Sequence, residues 1–476
     1  MAVRRSARVV VSLAAATLCA RAVLGVTGLL SGRSVGAADN TDGARLYRGA
    51  GLVPDTADHR SDWKPGVVIH FSRGKPEPDP IPSAALWILM AAAHGRPARL
   101  SLTRVGRIYA LLIGVVSGGA VWAASPDRLA HSLTLLPVLT PLANRDFARF
   151  FVSTYSEPAG LLAAALLLSG TAVLTVTRSA HRIERMLGLA MTSGGGLLAL
   201  TAKIAYAPLL PIAAAVCVAA ERILGSAVAS AVLAAGVRPV KAMLRWQSRN
   251  YHGVNTHNLV FTMMLPEFGS GAAAALGLPA VASAYSGRGS SDEQGVPMDF
   301  DMIPGWRAVI GEDPRRVRRA AYWHLARHPG TLARAVGVAM QATLGRDIDY
   351  LRDDPLPAGT DVPKKVTPTG SMGHNNAALH AWLDAMPAPW RPSLFAAVGI
   401  AAGSTSLLGQ PRSDIARALC SIAGVSALGA VGVAVLAVVG DGYYEIAKHV
   451  WLSAYLLDVT GAALLGATAA TLSRAP

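Results

Sequence analysis

Long apolar runs closed by short polar or basic stretches recur along almost the whole chain, at lengths suited to helices that cross a bilayer. The first occupies residues 9–30, after Arg4, Arg5 and Arg8. Further runs at 81–94, 108–125, 159–177, 186–201, 206–220, 223–243, 393–408, 418–440 and 450–472 bring the predicted spans to about ten. Several fall short of the roughly 20 residues an untilted span requires, 81–94 most of all. The run at 9–30 exceeds a usual signal-peptide core and many spans follow it, so it reads as a retained helix rather than a cleaved leader. The segment 129–151 starts apolar but then holds Asn144, Arg145, Asp146 and Arg149, which predicts a helix lying on the membrane surface instead of a crossing.

Basic residues set the direction, because short cytoplasmic loops are enriched in Lys and Arg. With the N-terminus inside, alternation places inside the groups Arg96, Arg99, Arg104 and Arg107, then Arg178, Arg182 and Arg185, then Arg222, then Arg412 and Arg417, and finally Arg474. Both termini are then cytoplasmic. Two large segments, 31–80 and 245–392, fall outside. The expected architecture is an all-α polytopic membrane protein: an N-terminal transmembrane region at 1–244 that includes the first outer loop, an extracytoplasmic loop domain at 245–392, and a C-terminal transmembrane region at 393–476. Within the loop domain a helix is predicted over 314–327. No internal repeat is visible.

Composition agrees. With 52% hydrophobic and 15% charged residues in 476, there is too little polar surface to cover a water-soluble globule. The net charge of +15 lies in short runs between apolar segments rather than in one stripe, which argues against nucleic acid and for membrane topology. Cys19, Cys217 and Cys420 sit within apolar runs without paired spacing and read as small core residues. No phosphate-cradling glycine loop, zinc-protease helix or nucleophile elbow occurs in a fitting context, which leaves cytoplasmic nucleotide chemistry unsupported.

The ionisable residues expected on the outer side fall into groups. Asp39 and Asp42 stand just beyond the first span, followed by Arg45 and Arg48; either acid alone could be an N-cap. Asp146 is followed by Glu157, which sits at the mouth of a span opened by Pro158, where a carboxylate could equally serve as a cap. Lys203 occupies an outer turn with Tyr206; it could snorkel, or hold a lipid-linked phosphate. Asp441, Glu445, Lys448 and His449 fall at i, i+4, i+7 and i+8, one face if the stretch is helical. The outer loop adds Asn250, Tyr251, His252, Asn255, His257 and Asn258, a composition suited to hydroxyl-rich ligands and to ordinary turns alike.

This order of features resembles the GT-C superfamily of integral-membrane glycosyltransferases, which use polyprenyl-phosphate sugars. The resemblance rests on Asp39-Asn40-Thr41-Asp42, on Asp146 and Glu157, on Lys203, and on two segments similar to bacterial glycan-biosynthesis hexose transferases, Asp42-Gly43-Ala44-Arg45-Leu46 and Asp441 to His449. The family's first-loop motif is often Asp-Asp or Asp-Glu; here Asn40 and Thr41 intervene, and the outer domain is internal to the chain. The resemblance implies an extracytoplasmic active site at the plasma membrane, a polyprenyl-phosphate sugar donor and a cell-envelope glycan or glycolipid acceptor. Asp42 first and Asp39 second would then be the base. Lys203, Lys448 and His449 would stabilise the departing phosphate, supported by Asp146, Glu157, Asp441 and Glu445. A divalent metal (Mg or Mn) could sit on Asp42, Asp146 or Glu157, and the sequence leaves its presence open. The alternative, a transporter or flippase for a lipid-linked or small polar substrate, would want charges at mid-membrane and broken helices in repeated positions.

Overall fold

The computed structural model describes residues 2–32, 38–39, 41–55, 66–67, 70–94, 99–291, 297–344, 390–407 and 413–473. Helices α7 (Glu157–Val176) and α8 (Arg182–Ala202) form an antiparallel hairpin. Small residues permit their close approach: a Cβ at Gly195 would stand 2.5 Å from the Leu167 amide nitrogen. Lys203 Nζ lies 3.0 Å from Glu157 Oε1 and marks one end of the hairpin, termed upper. The turn between the helices marks the lower end, where His181 lies 3.0 Å from Asp127.

These marks orient the remaining helices. In α1 (Ala2–Val26), Arg8 donates to the Trp122 carbonyl at 2.6 Å and to Glu184 at 2.8 Å, with its guanidinium 3.9 Å above the Trp122 ring. Helix α4 (Leu102–Ala124) therefore ends at the lower side and starts at the upper, where Gly106 faces Leu29 and Phe151. Between them lie α2 (Thr41–Gly49), α3 (Ala84–Ala93), the strand pair β1 (Ala38–Asp39) with β3 (Gly66–Val67), and a small antiparallel sheet of β2 (Leu52–Pro54), β4 (His70–Arg73) and β5 (Arg99–Ser101) in the order β2-β4-β5.

The run at 81–94, expected as a span, forms a helix too short to be one. Helix α3 has ten residues, about 15 Å against a hydrocarbon core of about 30 Å. It starts beside the upper end, where Ser83 donates to the Ala202 carbonyl at 2.8 Å, and it finishes near β4, where Arg73 donates to the Ala93 carbonyl at 3.2 Å. Arg99, Arg104 and Arg107 are accordingly at the upper end and do not line an inner loop; Arg96 is outside the described residues.

A second correction offsets the first. Asp127 is at the lower end and Glu157 at the upper, so the intervening chain, expected to lie on the surface, traverses the bundle. It does so in pieces: 3-10 turns at Leu129–Leu135, Pro141–Ala143 and Arg149–Val152, with α5 (Leu136–Leu139) and α6 (Arg145–Ala148) among them. Pro137 and Pro141 prevent one continuous helix. Phe147, Phe150 and Phe151 are fully buried, and the Phe150 ring centroid is 4.2 Å from that of Trp451. One crossing lost and one gained leave every later helix running in the expected direction.

Helices α9 (Leu209–Ala220) and α10 (Arg222–Asn250) meet at the lower end, where Arg185 reaches Glu221 at 2.6 Å. The segment after α10 supplies α11 (His252–Asn258), α12 (Leu265–Phe268), α13 (Ser270–Leu276), α14 (Pro314–Arg327) and α15 (Pro329–Ala342). Asp313 caps α14, accepting from the Arg316 amide at 3.0 Å. Helices α16 (Arg391–Leu407), α17 (Asp414–Asp441), α18 (Ile446–His449) and α19 (Trp451–Leu472) complete the fold. Among the described residues six helices, α1, α4, α7, α10, α17 and α19, are long and apolar enough to cross a membrane.

Candidate functional site

The upper ends of α7, α8, α10 and α17 surround a cleft of about 750 Å³. Pro158 in the first turn of α7 sets Glu157 at that helix start, where the carboxylate complements the positive helix end. Glu157 is 3% exposed and pairs with Lys203, which follows the last turn of α8. The pair joins two helix ends and puts an ammonium at the cleft wall.

The stretch from Asp441 to His449 was expected as one helical face; a turn at 442–445 breaks it between the end of α17 and the short α18. Gly442 takes φ 64° against the backbone of Asn258, where a Cβ would come within 2.9 Å of its carbonyl oxygen and 2.6 Å of Thr262 Oγ1. Glu445 has φ 43°, a left-handed conformation unusual for a residue with a side chain. The turn still delivers all four ionisable residues to the cleft. Asn258, almost fully buried, accepts from the Ser290 amide at 2.8 Å and donates to Asp441 at 2.9 Å. The other oxygen of Asp441 lies 3.0 Å from His449 Nε2, and Lys448 donates to Glu445 at 2.7 Å. Tyr444 shares a hydroxyl–hydroxyl bond with Ser291; burial, then the charge of Glu445, pushes its phenol pKa up.

The opposite wall comes from α2, α10, α11 and α14. Arg45 stacks over Tyr251 with 4.2 Å to the ring centroid, and Trp246 donates to the Asp79 carbonyl at 2.9 Å. Asn250 and Asn255 offer amides, and Arg318 of α14 bonds to the Gly440 carbonyl at the end of α17. Among the described lining residues Arg45, Lys203, Arg318 and Lys448 outnumber Glu157, Asp441 and Glu445. A surplus positive, partly desolvated cleft suits an anionic group such as phosphate, and the amides suit hydroxyls.

Of the expected site residues, Glu157, Lys203, Asp441, Glu445, Lys448 and His449 come together here. Asp146 does not: it is 6% exposed on α6, in the broken crossing, and is not a cleft residue. Asp39 lies in β1 and Asp42 in the first turn of α2, one turn before Arg45; their side chains are outside the described residues. Asp146 and Glu157, two of the acids named for a metal, do not converge, Glu157 being engaged by Lys203, and among the described residues no group of three His, Cys, Asp or Glu could hold an ion. Sequence reasoning missed Arg318, whose helix is far along the chain and carries other arginines of the same appearance. The asparagine-rich run around 250–258 was visible but indistinct from turn chemistry.

The family model that matches is the YfdI N-terminal transmembrane domain, over residues 4–237. The chain is similar to that domain from α1 into α10, a stretch that includes Arg45, Glu157 and Lys203, and it is a membrane protein. Asn258, Arg318 and the turn at 441–449 lie beyond the match. No curated protein and no solved structure matches the chain.

Proposed function

We propose that this chain is a GT-C-like membrane glycosyltransferase that moves a sugar from a polyprenyl-phosphate donor to a cell-envelope glycan or glycolipid acceptor. The observation that carries the reading is the gathering of separated polar groups into one positively charged cleft at the upper end of the helix bundle. In this reading ten segments cross the plasma membrane: α1, α4, the broken segment 129–152, and α7, α8, α9, α10, α16, α17 and α19. The lower end, with Arg8, Arg178, Arg182, Arg185 and Arg222, faces the cytoplasm together with both termini. The upper arginines sit in segments longer than about 60 residues, which translocate regardless of charge.

The chemistry then follows from the residues. The acceptor hydroxyl loses its proton to Asp42, with Asp39 as the second candidate, as its oxygen attacks the anomeric carbon and inverts it. The bond to the phosphate oxygen breaks, and the electron pair leaves with the lipid phosphate, whose charge Lys203, Lys448 and His449 offset. Glu157, Asp441 and Glu445 hold those cations in place, while Asn250 and Asn255 are available to sugar hydroxyls. The broken crossing is the feature a transporter or flippase would share. Its aromatic end, with Phe147, Phe150 and Phe151, is sealed in the core and outside the lining of the cleft described above, which favours surface chemistry over passage. Membranes supplied with polyprenyl-phosphate sugars and envelope acceptors provide the test: Asp42→Asn should lower formation of the new glycosidic bond by about 100-fold or more while the protein stays folded. Full activity in that variant refutes the base assignment, and substrate movement across sealed vesicles without a new bond refutes the transferase.

A further inference from the structure

Helix α10 is 29 residues long, about 43 Å, which exceeds a hydrocarbon core of about 30 Å and carries its upper turns into the head-group layer. Those turns present Arg238, Lys241, Arg245 and Arg249 at successive spacings of three, four and four, all exposed and so along one stripe. Val237 and Leu244 are 47% and 50% exposed beside them, as on a surface that meets lipid. The stripe continues onto a second element. Arg315 of α14 donates to Ser248 of α10 at 3.0 Å, and Arg318 reaches Gly440 of α17, so α14 lies across the ends of two apolar helices.

Helix α14 buries Val317, Ala321 and Leu325 and exposes Arg315, Arg316, Arg319 and Arg327. It contains no Asp or Glu between Pro314 and Arg327. Trp323 is 62% exposed with the Arg327 guanidinium 5.2 Å above its ring, the amphipathic combination favoured at membrane interfaces. Arg249 has Asp79 at 3.2 Å, but among the described residues no carboxylate pairs with Lys241, Arg245, Arg315, Arg316 or Arg319. Basic residues thus outnumber the acids near them, Asp79, Glu312 and Asp313, far beyond what a merely solvated face of mixed sign would show.

We propose that α10 and α14 form a basic collar that binds the head groups of anionic phospholipids beside the cleft mouth. Half of the collar sits on an apolar helix at head-group depth, where phospholipid phosphates are the resident anions, and each basic residue near such a surface adds to the attraction. The proposal stands apart from the transferase reading and requires no sugar donor.

The test uses the full chain in detergent, offered equal phosphatidylglycerol and phosphatidylcholine, with retained lipids counted by native mass spectrometry. Wild-type protein should retain phosphatidylglycerol with a preference of about tenfold. The combined Lys241→Gln, Arg245→Gln, Arg315→Gln and Arg319→Gln variant should lose it. A control carrying Arg182→Gln and Arg222→Gln at the lower end should keep it, as should Arg245→Lys with Arg315→Lys and Arg319→Lys. If the fourfold variant does not fold, Arg315→Gln with Arg319→Gln, both exposed on α14, should show a partial loss. An undiminished preference in the folded collar variant overturns the proposal. So does removal of the wild-type preference by millimolar inorganic phosphate, which would mark a phosphate pocket instead of a lipid surface.

Discussion

At the scale of single residues, the cleft depends on groups that never touch it. His257 is fully buried, stacked on Phe261 with ring centroids 4.5 Å apart; it accepts from Trp306 Nε1 at 3.2 Å through Nδ1 and lies 3.1 Å from the Arg288 carbonyl through Nε2. Those partners assign the proton to Nε2 and fix the residue before Asn258, which holds Asp441. Burial pushes the His257 pKa down from 6.5 to about 4, against smaller opposing effects from the backbone of Gly289 and Arg288 and from Asp441. The unfolded chain therefore takes up a proton that the folded chain refuses. The stability this residue contributes is complete above about pH 6.5 and is lost as pH falls toward 4, by about 2–3 kcal/mol. Denaturation of the detergent-solubilised protein across that window should show a shallower pH slope for His257→Gln than for wild type; equal slopes would contradict the assignment.

At the scale of elements, the helices are held by backbone contact more than by interlocking large side chains. Gly403 of α16 faces Gly424 of α17 so closely that a Cβ on either would stand 2.7 Å from the other's Cα. Apolar side chains gain little from leaving lipid, so close dispersion contact through small residues is what holds such helices together. Gly403→Leu should lower the stability by about 1–3 kcal/mol, read as a fall in unfolding temperature. Gly119→Leu, on a face of α4 with nothing within 4 Å, should be near neutral. A gain in stability at both sites would mean that propensity, not contact, governs these helices. The same reasoning explains why helix existence was readable from apolar runs. The failure at 129–151 came from Asn144, Arg145, Asp146 and Arg149, which suggested exposure; Asn144, Asp146 and Arg149 are nevertheless buried beside Phe147, Phe150 and Phe151.

At the scale of the whole molecule, the corrected path puts the first loop and β5 on one side of the bundle. Single cysteines at Thr41, Lys75 and Arg99, in a background with Cys19, Cys217 and Cys420 replaced by alanine, should all react with an impermeant reagent in intact cells. A cysteine at Ser179, in the lower turn, should not. If Arg99 behaves like Ser179 instead of like Lys75, α3 crosses the membrane after all and the upper assignment of β5 fails. The sheet pairing of β5 with β4 is what makes these sides inseparable.

The membrane class, the helical elements and the grouping of polar residues at helix ends were legible from the chain itself, because a bilayer forces backbone hydrogen bonds into apolar helices and leaves charge at their ends. Glu157 and Lys203, each at its own helix end, and Asp441 with its neighbours to His449, announced themselves as polar groups at such ends. Tertiary structure alone decided that these groups share one cleft, that Arg45 and Arg318 join them, that Asp146 does not, and that 81–94 stays at one end of the helix bundle while 129–152 runs along it. Those outcomes depend on contacts between residues remote in sequence, such as Asn258 with Asp441 and Arg8 with Glu184. Hydropathy is a local sum and carries no record of which helix end meets which.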